Sequence, residues 1–84
     1  MTDLNVIALG REAGRLLRDP AFRSGVKRAE QMIFDEWCAS HASEVSRREQ
    51  LHADWRALKR LEGALQAITT DGTAQVDAQR RIRI

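Results

Sequence analysis

Cysteine occurs once, as Cys38, so no internal disulfide can hold this chain together. Such usage fits a reducing compartment. Proline also occurs once and tyrosine not at all, and two tryptophans with two phenylalanines supply all the aromatic bulk. In 84 residues there is room for one thin core, because a chain this short buries only about 60–65% of the surface its unfolded form exposes. Docking on a partner or forming a homo-oligomer is one way for such a chain to finish burying apolar surface.

Long apolar runs are missing as well. Nothing approaches the roughly 20 residues that cross a bilayer. At the start, Asp3 and Asn5 break up a short apolar stretch before Arg11, Glu12 and Arg15, unlike a signal peptide. A soluble, non-secreted protein with no membrane partner is expected. A strong charge excess is absent too: the net charge is +2, too little for a polycation that coats nucleic acid. Residues 1–72 balance their acids and bases, and the excess comes from Arg80, Arg81 and Arg83 against Asp77.

What is present is helical periodicity, and the pattern reads as all-α. Leu4, Ile7, Ala8, Leu9, Ala13, Leu16 and Leu17 fall largely on one side of a short helix over about residues 3–18. Gly10 and Gly14 each cost it about 1 kcal/mol relative to Ala, so it needs packing to persist. Asp19-Pro20 starts a second helix, since Asp is a strong N-cap and proline suits the first helical position. Its stripe runs Phe22, Val26, Ala29, Ile33, Trp37, widened by Met32 and Phe34. The serines around residues 40–43 favour a turn. Ser43 is then placed to cap a third helix with the stripe Leu51, Trp55, Leu58, Leu61, Leu65, Ile68, and Asp71-Gly72 reads as its stop signal.

The expected architecture is a short N-terminal helix plus an antiparallel hairpin of about residues 20–41 and 44–70, preferred over one continuous helix. Counting outward from the turn sets Trp37 across from about Arg48 and Ile33 across from Leu51. Residues 1–72 form a single helical domain in this reading. Residues 73–84 form a basic tail, extended or disordered, whose Ile82 and Ile84 share one face and suit addition to a partner as a strand.

Candidate chemistry yields to plainer explanations. Cys38, His41 and His52 are the only soft ligands, and zinc needs a fourth ligand and convergence. Hence no metal, cofactor or catalytic residue is assigned, and the chain is not expected to be an enzyme. Both tryptophans lie on apolar stripes and are read as core, not as base-stacking platforms. Arg11, Arg15 and Arg18, spaced by four and three, make a basic ridge on the first helix. A solvated face, a contact with an acidic protein or nucleic-acid surface, and a membrane-surface contact compete to explain it. The Gly10-to-Gly14 spacing matches a small-xxx-small pattern whose use outside a membrane is close helix approach.

Asp19-Pro20-Ala21-Phe22, then Ile33-Phe34-Asp35-Glu36-Trp37, then the run from Trp55 to Leu65 and the close at Asp71-Gly72 carry a resemblance. Over about residues 19–72 the chain resembles small helical proteins encoded by tailed bacteriophages and prophages, many of them from structural gene clusters. The resemblance implies a virion or virion-assembly role and carries over no functional residue. The leading expectation is therefore a non-enzymatic structural or assembly protein that docks on a larger protein assembly, in the virion or the host cytoplasm. A small inhibitor of a host protein complex and a nucleic-acid-binding accessory protein are the alternatives, the nucleic-acid partner being less favoured. The partner-binding residues expected are Arg11, Arg15, Arg18, Arg80, Arg81, Ile82, Arg83 and Ile84. Removing residues 73–84 is expected to abolish binding and leave helix content intact.

Overall fold

The computed structural model describes residues 2–82. It consists of three helices, α1 (Thr2–Arg18), α2 (Pro20–Ala39) and α3 (Val45–Ile82), with no strand among the described residues. The all-α expectation holds, and so do two of the breaks. Asp19 adopts extended geometry, its carboxylate accepts the Phe22 N–H at 2.9 Å, and Pro20 opens α2. The chain leaves α2 at Ser40, two residues before the expected end, with ψ at 150° and its N–H bonded to the Trp37 carbonyl at 3.1 Å.

The turn is held by one arginine. Arg48 Nε donates to Ser40 Oγ at 2.8 Å and Nη2 to the Ser40 carbonyl at 3.3 Å, while its guanidinium lies 4.6 Å from the Trp37 ring centroid. Trp37 and Arg48 are thus opposite one another, as counting from the turn predicts. Ser43 is not the cap of α3. The Glu44 carbonyl accepts the Arg48 N–H, and the Glu44 carboxylate takes the His41 N–H at 3.3 Å, so Glu44 holds the position assigned to Ser43.

The larger correction concerns residues 71–82. Asp71-Gly72 is no stop, because α3 runs unbroken through it, and no described glycine has a positive φ. The predicted extended tail is therefore helix as far as Ile82. The reason lies in α1, which packs lengthwise against this half of α3. A Cβ built on Gly10 would sit 2.8 Å from Gly72 Cα, and one built on Gly72 would sit 2.9 Å from Gly10 Cα. Only two hydrogens separate the backbones there, which glycine alone permits. Thr69 lies against Gly14 one turn along.

These registers define the topology. Gly10 lies beside Gly72, Glu30 beside Lys59 at 2.9 Å, and Trp37 beside Arg48, so α1 and α2 run end to end along one side of α3. The result is a rod of 63 × 24 × 18 Å with a radius of gyration of 18.1 Å, against about 12 Å for a compact chain of this length. Such a shape has little interior. Ile7, Ala13 and Leu51 are the buried apolar residues, and no large side chain is fully enclosed among the described residues. Trp37 and Trp55, read from the sequence as core, are 39% and 41% exposed.

Candidate docking surface

One side of the rod carries two grooves. The first lies between α2 and α3 near the turn and is lined by Phe34, Trp37, Leu51, His52 and Trp55, with Lys27 and Glu30 at its far end. Helical spacing places Phe34 and Trp37 on neighbouring positions of α2, and His52 and Trp55 on neighbouring positions of α3. The His52 and Trp55 rings are stacked at 6.3 Å with 27° between their planes. Lys59 Nζ sits 5.7 Å from the Trp55 centroid and closes the groove by pairing with Glu30 at 2.9 Å and Glu62 at 3.4 Å. The hydrogen bond to Glu30 leads in holding the Lys59 ammonium above its ordinary pKa, with Glu62 adding to it. The groove thus pairs aromatic faces with fixed charges of both signs.

The second groove lies between α1 and the far half of α3 and is lined by Ile7, Arg11, Arg18, Thr73, Asp77 and Arg80. His52 and Asp77 are 25 residues apart in α3, about seven turns, so the two grooves open on the same side. Three arginines around one aspartate give this end a positive field, which the negative end of the α3 dipole beside Arg80 and Arg81 offsets in part while Arg11 and Arg18 lie on a different helix.

The expected binding residues are divided by this geometry. Arg11, Arg18 and Arg80 come together around the second groove, although 62 positions separate Arg18 from Arg80. Arg15 does not join them: it is exposed and paired with Glu12 on the outer surface. Arg81 and Ile82 are exposed on the last turn of α3, so the strand alternation read for residues 80–84 does not exist as far as Ile82. Arg83 and Ile84 lie outside the described residues.

Sequence reasoning missed the aromatic groove, because a tryptophan on an apolar stripe is ordinarily interior. A usable signal was there in the crowding of Phe34 and Trp37 on α2 opposite His52 and Trp55 on α3. More large rings occupy that end than a two-helix contact can enclose. Among the described residues no three His, Cys, Asp or Glu side chains converge, and Cys38 is exposed. No helix among them is long and apolar enough to cross a membrane. No protein-family model, curated protein or solved structure matches the chain.

Proposed function

We propose that the chain is a non-enzymatic docking protein of a larger protein assembly, which it engages through the two-groove side of the rod. One observation carries this reading. The accessible surface is 6832 Å² for 9.5 kDa, whereas a folded monomer of that mass exposes about 5,000 Å². Aromatic residues contribute to the excess at the turn end, where Phe34 is 60% exposed beside the two tryptophans. Exposed rings set among placed charges are what a protein partner's hot spots require. The resemblance of residues 19–72 to phage-encoded helical proteins supports a virion or its assembly line as the site of action.

The test is made on particles purified from cells that produce the chain. Mass spectrometry is expected to find the wild-type chain in mature particles or in assembly intermediates. Phe34→Asp and the pair Arg11→Glu/Arg18→Glu should each lose incorporation at least tenfold with unchanged circular dichroism. Absence from every particle fraction, with full particle yield when the chain is not made, overturns the reading. Binding to DNA that falls steeply between about 50 and 200 mM salt would assign the arginine groove to nucleic acid instead.

A further inference from the structure

The side of the rod opposite the grooves carries a row of exposed apolar residues, interrupted on α2 by Arg28 and Glu36. Leu9 lies nine residues from Arg18, Leu61 nine from His52, and Ile68 nine from Asp77. Nine residues are about two and a half turns, so each of these side chains points away from a groove-lining residue. Met32 is two residues from Phe34, hence about 200° round α2, and Leu16 is seven from Leu9. All five are exposed, Met32 and Leu9 at 60% and Leu61 at 53%. Along α3 the stripe Ala57, Leu61, Ala64, Ile68 repeats at four, three and four, the spacing of a coiled-coil seam with small residues at alternate positions.

We infer that this face is covered by a second copy of the same chain, stacked antiparallel about a two-fold axis. Three features of the face make it self-complementary. Leu61 and Ile68 exchange places about a midpoint between Ala64 and Leu65, so each meets the other's counterpart in the second copy. Leu9 and Met32 exchange about a midpoint between Pro20 and Ala21, and the same midpoint sets Leu16 against Gly25, beside which a Cβ would meet nothing within 4 Å. These two midpoints lie side by side across the rod in the register of Gly10 with Gly72 and Trp37 with Arg48. One two-fold axis therefore serves both rows.

Charge supplies the third feature. Arg60 and Asp71 flank the α3 stripe on the same edge, and neither makes an ion pair with another described residue of its own chain. Antiparallel stacking about that axis brings Arg60 of each copy beside Asp71 of the other, whereas parallel stacking would put them on opposite edges. The area agrees. The surface exceeds that of a compact monomer by roughly 1,800 Å², so a standard interface of about 800 Å² per partner on this face leaves about 1,000 Å² of the excess for the groove side. Two rods stacked this way hold six helices, four in any cross-section, with both groove sides facing outward.

Sedimentation equilibrium of the full chain at micromolar concentration is the experiment. The expected species has twice the 9.5 kDa chain mass. Arg60→Glu and Asp71→Arg should each weaken the dimer about tenfold by setting like charges opposite one another twice per dimer. The double variant Arg60→Glu/Asp71→Arg should restore it, and Leu61→Glu should give a helical monomer. A monomeric wild type, a dimer indifferent to Leu61→Glu, or single-variant losses that the double variant does not rescue would each overturn the inference.

Discussion

Replacing Gly10 with alanine sets two effects of similar size against each other, and the structure decides the sign. In an isolated helix the change stabilises by about 1 kcal/mol. Here the new methyl would sit 2.8 Å from Gly72 Cα and 3.1 Å from the Ile68 carbonyl oxygen, both backbone atoms with no rotamer to move. Ordinary contact at 3.4–4 Å requires α1 to move away from α3 by close to the missing distance. A gap of about 0.5–1 Å forfeits a quarter to a half of the dispersion attraction along the contact, and overpacking of this kind costs about 1–3 kcal/mol. The net expectation is a loss of up to about 2 kcal/mol, or up to about 15 °C in Tm for a domain of this size. Gly63→Ala is the control, since its Cβ meets nothing within 4 Å and should stabilise by about 0.5–1 kcal/mol. Thermal and urea unfolding at one fixed protein concentration measures both, the fixed concentration being needed because self-association raises apparent stability by mass action. If Gly10→Ala raises Tm as Gly63→Ala does, the backbones are not in contact and the packing argument for α1 collapses.

Two further outcomes follow from the same structure. Arg48→Met keeps the aliphatic stem but removes two hydrogen bonds and the cation over Trp37; it should cost about 1–3 kcal/mol in urea unfolding, and a loss under a few tenths would show that the turn needs no such clasp. Truncation after Asp71 removes Gly72, Thr73 and Val76, against which α1 packs. Ellipticity should therefore fall by more than the residues removed account for, as α1 melts with its support, in contrast to the intact helix content that the sequence alone predicts.

Much of the architecture was legible because it is written in local chemistry. Asp19-Pro20 breaks the chain through an N-cap and a missing N–H, and both act within four residues. The turn near residues 40–44 shows as a lost stripe and clustered serines, and the opposition of Trp37 and Arg48 follows by counting. The arginine groove was half legible. Arg11, Arg18 and Arg80 were named from the sequence as binding residues, but their meeting depends on α3 being long enough to carry Arg80 back along α1. Arg15 was grouped with them by spacing alone and is turned outward. The tryptophans were misassigned because periodicity reports which face a residue occupies and not how much protein lies against that face.

By itself, then, the sequence determined helices, their breaks and their stripes, since hydrogen-bond capping and side-chain period are properties of neighbouring residues. Tertiary structure decided what Gly72 is for. A glycine after Ile68-Thr69-Thr70-Asp71 looks the same locally whether it ends a helix or admits a second helix to contact. The row Thr69, Gly72, Thr73, Val76 is too small to register as a hydrophobic stripe, and it becomes one only when α1 lies on it. That contact turns a predicted tail into the last three turns of a rod and gathers the arginines of both ends into one groove. It also leaves too few helices to enclose the aromatic residues that the sequence had seemed to bury.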